Sequence, residues 1–174
     1  FTDGLTGLYN RKFLEEHSKK LIPQAKRDNF NIGVLLLDMD HFKAVNDEYG
    51  HDIGDKVLKE LSRILNETLR ESDVIIRYGG EEFIVLLVNI KTEEDALNVA
   101  NKIREKVKEN EIDVYAGSKL RKTISIGLSM FPDDSNNFDS VIKNADIALY
   151  EAKSKGRDQV VRFTSESSSL VDIF

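Results

Sequence analysis

The sequence predicts an α+β fold on a βαββαβ plan, a ferredoxin-like or palm-type core. A central antiparallel sheet is flanked by helices, with an added N-terminal helix and a C-terminal helix and strand. Three features carry that reading. Gly33-Val34-Leu35-Leu36-Leu37 is a short unbroken apolar run of the kind a strand covered on both faces requires. Val57, Leu58, Leu61, Ile64, Leu65 and Leu69 recur at helical spacing, with Gly54 on the same face. Arg77-Tyr78-Gly79-Gly80-Glu81-Glu82-Phe83 sets two glycines between apolar runs, a hairpin signal.

In chain order, Asn10 is an N-cap opening an amphipathic helix at Arg11, and Pro23 ends or kinks it. The strand over 31–37 stops at Asp38, and a Gly-rich, acidic connection leads into the helix around Val57. Val74-Ile75-Ile76 and Phe83 to Val88 form the hairpin strands. Thr92 to Lys108 places Ala96, Val99, Ala100, Ile103 and Val107 on one helical face. Thr123 to Phe131 alternates as a strand. Phe138 to Lys155 reads as a last helix through Val141, Ile142, Ala145, Ala148, Leu149 and Ala152, and Val160-Val161-Arg162 as a closing strand. No internal repeat is visible. Residues 1–163 are expected to form one domain and 164–174 a polar tail, whose Leu170, Val171, Ile173 and Phe174 could dock.

At 174 residues and 40% hydrophobic content the chain can bury one core. A net charge of −6 argues against a nucleic-acid polymer as partner, so any polyanion bound must be small. The absence of cysteine excludes disulfides, thiolate metal sites and a cysteine nucleophile, and is compatible with a reducing cytosol. No apolar run has membrane-spanning length, so a cytoplasmic location without membrane contact by this domain is expected. The chain starts at Phe1, as expected of a domain cut from a longer protein with a sensor region, and any membrane anchor, upstream.

Chemistry concentrates at two places. In Asp38-Met39-Asp40 strand alternation puts both carboxylates on one face and Met39 on the other. In a βαββαβ sheet the first and third strands are neighbours, so the Gly79-Gly80 turn approaches the end of the first strand and Glu81 can meet Asp38. Oxygen ligands from adjacent strand ends, with room for water and phosphate, suit Mg²⁺. Each feature alone also has a plainer reading: acids at a hairpin lip are commonly solvated, and a DxD can simply end a strand.

The ordered motifs extend well beyond these. Asp3-Gly4-Leu5-Thr6-Gly7-Leu8 with Asn10-Arg11, Asp38-Met39-Asp40-His41-Phe42-Lys43, and Asn46-Asp47-Glu48-Tyr49-Gly50-His51 with Gly54-Asp55 come first. Arg77 to Phe83, Ser125-Ile126-Gly127, Ala145-Asp146 with Ala148-Leu149-Tyr150, and Ala152-Lys153 with Gly156-Arg157 follow. On these residues the chain resembles the GGDEF family of diguanylate cyclases along nearly its whole length. The signature stands as GGEEF, with Glu81 where the family commonly has Asp, a change that keeps the ligand chemistry and is seen in active members.

The resemblance implies condensation of two GTP into cyclic di-GMP with release of two pyrophosphates, each subunit of a homodimer presenting one GTP. It implies that Asp38, Glu81 and the Met39 carbonyl hold Mg²⁺ or Mn²⁺, two ions per GTP, with Glu82 nearby and Lys43 in the catalytic set. Asn46 and Asp55 match guanine-binding positions, Phe42, Gly79 and Gly80 fall in the substrate site, and Lys43, Lys153 and Arg157 match phosphate contacts. A carboxylate at Asp55 accepts from guanine N1–H and the 2-amino group together, a pair adenine lacks. As a plain sequence feature Asp55 is also a first-turn helix acid. Arg70 and Asp73 fit the family's RxxD inhibitory site for cyclic di-GMP, and its auxiliary arginine falls at Lys102, a departure from the pattern; a local Arg70–Asp73 ion pair is the alternative. A non-catalytic receptor for GTP or cyclic di-GMP is the competing functional reading, and an acidic interaction module that binds no nucleotide is a further one.

Overall fold

The computed structural model describes residues 1–165. Its elements are β1 (Tyr9–Asn10), α1 (Arg11–Asp28), β2 (Asn31–Met39), α2 (Phe42–Tyr49), α3 (His51–Thr68), β3 (Val74–Arg77), β4 (Glu82–Ile90) and α4 (Glu93–Glu109). They continue with β5 (Ile112–Asp113), a 3₁₀ turn (Tyr115–Gly117), β6 (Lys119–Leu120), β7 (Ile124–Phe131), α5 (Phe138–Ser154) and β8 (Val160–Arg162). The main sheet runs β1-β3-β4-β2-β7-β8. Its inner strands β3, β4, β2 and β7 are antiparallel, while β1 and β8 add in parallel at the two edges. This is the expected βαββαβ order, with β2 central and β4 beside it.

Alternation along β2 divides the core between the two faces of the sheet. Leu35, Leu37 and Met39 join Val57, Leu61 and Leu65 of α3 and Ala96, Ala100 and Ile103 of α4. Ile32, Val34 and Leu36 join Leu14 and Leu21 of α1 and Val141, Ala145 and Leu149 of α5. Every residue of β7 is buried for the same reason: both of its faces are covered. Gly127 lets α5 press onto β7, since a Cβ there would overlap the backbone of Ala145 and Leu149.

Several elements depart from the sequence reading. Pro23 does not end α1, which continues to Asp28. Leu21 and Ala25 are buried on either side of an exposed Pro23, so the missing N–H falls on the solvent side while packing holds the helix together. The strand reaches Met39 rather than stopping at Asp38. The acidic connection contains a helix of its own, α2, joined to α3 through Gly50 at φ 89°. The hairpin turn is wider than a two-residue one: Tyr78 and Gly79 both donate their N–H to Glu82 O, at 2.8 and 3.1 Å. The short strands β1, β5 and β6 carry too few residues for a periodic signal. The predicted polar tail lies outside the described residues from position 166 on. No helix among the described residues is long and apolar enough to cross a membrane.

Candidate active site

The central strand delivers Asp38 to the edge of the sheet between two partners. In the ladders it lies opposite Glu82 of β4 and Ser125 of β7. Its side chain is 7% exposed and bonded to the Lys153 ammonium from α5. Burial raises the Asp38 carboxyl above the usual range against the pull of Lys153, and the charge of Asp40 adds to the rise. Glu81 and Glu82 are raised as well, first by burial and then by repulsion from Asp38. Asp38 thus stands opposite Glu82 in the ladder and within electrostatic reach of Glu81, and the three carboxylates destabilise one another in their charged forms.

Asp38 and Asp40 differ sharply in their partners. Asp40 accepts from Thr123 Oγ1 and Ser125 Oγ at 2.7 Å each and from Asp158 N–H at 3.1 Å. Its oxygens serve the fold. Met39 buries its side chain in the α3/α4 core, as alternation predicts. Asp40 N–H donates to Thr123 O, so ladder alternation turns the backbone groups of Met39 the other way, toward the Gly79–Glu81 connection.

That connection is clamped from outside the quoted carboxylates. Arg77 donates to Gly80 O through Nε at 3.1 Å and Nη2 at 2.7 Å, and to Asp3 through Nη1 at 3.1 Å. Asp3 also accepts from Thr6 N–H and Oγ1. Gly79 and Gly80 are not among the positive-φ glycines, and a Cβ on Gly80 would meet nothing within 4 Å. Their smallness leaves space above the turn rather than serving its backbone.

That space opens into a cleft of about 580 Å³ lined by Phe42, Lys43, Asn46, Asp55, Glu81 and Glu82 among others. Asn46 and Asp55 come from α2 and α3, held together because Gly54 has no side chain: a Cβ there would overlap Asn46 Oδ1. Asn46 Oδ1 is buried and has no hydrogen-bond partner among the described residues, so it lacks a donor. Arg77, His51 and Leu58 also line the cleft; the sequence reading placed them in motifs or on a helical face without giving them a role in the site. For Arg77 a site role was within reach, since it stands in the signature stretch; that His51 and Leu58 face the cleft follows only from how α3 lies along its wall.

Lys153 and Arg157 reach the site from the α5 side instead of the cleft wall. Lys153 is engaged with Asp38, and the positive charge of Arg157 acts on the same carboxylate. A Cβ added at Gly79 would meet the Glu82 side chain at 3.4 Å, so the glycine leaves that side chain room.

Arg70 and Asp73 form a separate cluster. Arg70 Nη2 bonds Asp73 Oδ1 at 2.9 Å and Val88 O at 2.9 Å, while Asp73 also accepts from Arg70 N–H and Val88 N–H. Asp73 is 2% exposed and Arg70 54%. Asp73 thus holds the local backbone, and Arg70 presents an exposed guanidinium beside a depression of about 340 Å³. Lys102 is exposed on α4 and does not line that depression.

The donors fit a hard divalent cation. Asp38 and Glu81 are carboxylates, Met39 turns a backbone carbonyl toward them, and an ammonium already occupies the attractive position at Asp38. Among the described residues no three acidic or histidine side chains converge into a metal cage, so an ion held here would need water and phosphate oxygens to complete its shell.

Comparisons with known proteins bear on this geometry. Residues 1–159 match the family described as diguanylate cyclase, GGDEF domain. Diguanylate cyclase DosC of Escherichia coli strain K12 is 38% identical over 158 residues, covering 91% of this chain and 34% of that protein. The GGDEF domain of TpbB (also YfiN) from Pseudomonas aeruginosa superposes with a TM-score of 0.94 at 31% identity, covering 99% of both chains. The GGDEF domain of DgcB from Caulobacter crescentus, solved in complex with c-di-GMP, gives a TM-score of 0.85 at 31% identity over 92% of both chains. The chain spans less than half the length of the curated relatives it matches.

Proposed function

The chain belongs to the GGDEF family of diguanylate cyclases, and from that premise we propose that it condenses two GTP into cyclic di-GMP with release of two pyrophosphates, across the interface of a homodimer. The observation that carries the proposal is one cleft lined by Asn46, Asp55, Glu81 and Glu82, with Asp38 opposite Glu82 in the ladder and engaged by the Lys153 ammonium. Guanine selectivity comes from Asp55, which accepts from N1–H and the 2-amino group, and the orphaned Asn46 Oδ1 can take a further donor. Adenine offers no matching pair, so ATP leaves Asp55 unsatisfied.

In each half-reaction the 3′-oxygen of one GTP bonds to the α-phosphorus of the other, the α–β bridge breaks, and pyrophosphate leaves. Glu82 is the carboxylate left to take the 3′-hydroxyl proton, and its raised pKa suits that exchange. Lys43, Lys153 and Arg157 neutralise the phosphates. Asp38, Glu81 and the Met39 carbonyl would hold Mg²⁺ or Mn²⁺, two ions per GTP, supplying charge stabilisation at the α-phosphate and a more acidic 3′-hydroxyl. Arg77 keeps the Gly80 carbonyl fixed and so holds Glu81 and Glu82 in register with Asp38. Cyclic di-GMP binds back at Arg70 and inhibits; Lys102 does not line the depression beside Arg70 and is left out of this site.

The test strips bound nucleotide, incubates the concentrated protein with GTP and Mg²⁺, and quantifies cyclic di-GMP by chromatography against an ATP control. Product from GTP alone, rising more steeply than linearly with protein concentration, is the expected result. No product even from an artificially dimerised chain would leave a receptor in place of a cyclase.

A further inference from the structure

Gly156, Arg157 and Asp158 hold left-handed φ in succession, at 113°, 65° and 48°. Non-glycine residues take that conformation at a cost in free energy, so neighbouring contacts must hold the turn in place. They come from three directions. Arg157 N–H donates to Ala152 O at the end of α5, at 3.0 Å. Asp158 N–H donates to Asp40 Oδ2 at 3.1 Å. The Asp158 carboxylate accepts from Arg104 Nη1 at 2.8 Å and Lys108 Nζ at 2.7 Å, both from α4.

These contacts are not surface decoration. Arg104 is 18% and Asp158 25% exposed, so the pair is partly shielded from water. Asp40, at the other end, is 2% exposed and also bonded to Thr123 and Ser125 of the neighbouring chain segment. Asp158 is therefore fixed through both its backbone and its side chain to elements on opposite sides of it. The residue immediately before it is Arg157, whose N–H is bonded to Ala152 O, next in the chain to Lys153, the lysine that engages Asp38.

We propose that Asp158 is a positioning residue: clamped by Arg104 and Lys108 of α4 and by Asp40, it fixes the left-handed turn that aims Arg157 at the phosphate end of the nucleotide site. The inference rests on reading the cleft as a GTP site. Asp158 touches no substrate in this scheme and acts only through Arg157.

Calorimetric titration with Mg²⁺ and a GTP analogue bearing a methylene bridge between the α and β phosphorus tests it on the whole chain. Asp158→Ala and Arg157→Ala should each weaken binding about tenfold, the size of a lost hydrogen bond to a charged group. The double variant should bind no more weakly than Arg157→Ala alone. A purely structural role would instead multiply the two losses, and wild-type affinity in Asp158→Ala would equally overturn the proposal. Should Asp158→Ala fail to fold, Asp158→Asn keeps the tolerance for left-handed φ and one acceptor for Arg104, and Lys108→Met removes the clamp from the α4 side. Each should show a smaller loss that vanishes in the Arg157→Ala background, and a loss that persists there overturns the proposal. If wild type itself does not bind the analogue, the GTP reading falls and this inference with it; binding by wild type with multiplied losses sinks the inference alone.

Discussion

Replacing Lys153 with Met is expected to tighten the binding of a bare divalent cation while weakening that of its GTP complex. In the metal-free protein the Lys153 ammonium lies on Asp38, and it holds Glu81 and Glu82 down against burial and mutual repulsion. A cation arriving at Asp38 has to displace that ammonium or repel it. Two charges about 4 Å apart interact by ~4 kcal/mol at an effective dielectric constant of about 20. The Lys153 side chain is 33% exposed, so solvent screening reduces the figure to about 1–2 kcal/mol. Removing the competitor should therefore tighten Mg²⁺ binding roughly tenfold. The same substitution leaves Asp38 buried without its counter-charge, and in EDTA at neutral pH the midpoint of unfolding should fall by about 4 °C. Added Mg²⁺ should restore more of that loss than it adds to wild type, whereas affinity for the GTP analogue drops because a phosphate partner is gone. Calorimetry on nucleotide-stripped protein and thermal unfolding with and without Mg²⁺ provide the numbers. Equal or weaker binding of bare Mg²⁺ by the variant would refute the competition between ammonium and metal.

Asp38→Asn and Glu81→Gln should abolish cyclic di-GMP formation with the far-ultraviolet spectrum unchanged, and Glu81→Gln should unfold slightly later than wild type in EDTA because one repelling charge is gone. Asp38, Glu81 and Glu82 all have folded-state pKa values above their unfolded ones, so the folded chain binds more protons in that window. Their contribution to stability is full below the unfolded pKa, around pH 4, and is lost as pH rises through the raised values; the stabilisation by Mg²⁺ should grow over the same interval, and unfolding midpoints with and without Mg²⁺ from pH 4 to 7 check both signs. Gly54→Ala should displace the Asn46 side chain and lower affinity for the GTP analogue several-fold while costing little stability, because the atom in the way is the end of a side chain. Arg70→Ala should relieve inhibition by cyclic di-GMP with little change in initial rate, measured by progress curves with and without added product.

How much of this was legible in the sequence depends on whether a feature is local. The two-sided burial of β2, the helical face of α3 and the cap Asn10 follow from period and residue type, and the structure has them. Pro23 does not end α1 because a proline is disruptive in proportion to what its position needs, and burial on the opposite face of α1 is not written in the neighbouring letters. The helix α2 was hidden by its surroundings: eight residues with one buried apolar side chain give little periodicity, and the helix stands because it packs on α3 through Gly54. For the site, residue types marked the cleft, but the engagement of Lys153 with Asp38 joins residues far apart in the chain and is fixed by how α5 lies on the sheet. The same holds for the pairing of Arg77 with Asp3.

Asp38 and Asp40 show why a motif such as DxD underdetermines chemistry. They stand two residues apart at the end of one strand and are similarly buried, at 5% and 2%. A carboxylate has about four acceptor sites, and what distinguishes the two is who fills them. Asp40 is met by a threonine hydroxyl, a serine hydroxyl and a backbone N–H, three short-tethered donors, of which the N–H is fixed by the 156–158 turn itself. Asp38 is met by the tip of a lysine, which can swing away through side-chain rotation alone. The first arrangement is spent on holding the fold. The second stores a buried negative charge behind a removable cation, which is the condition a site must satisfy if it is to accept a divalent ion and a phosphate together. The carboxylates Glu81 and Glu82 add to the charge held there without adding a fixed donor, so the free energy lost to their repulsion in the empty protein is recovered only when a ligand of opposite sign arrives.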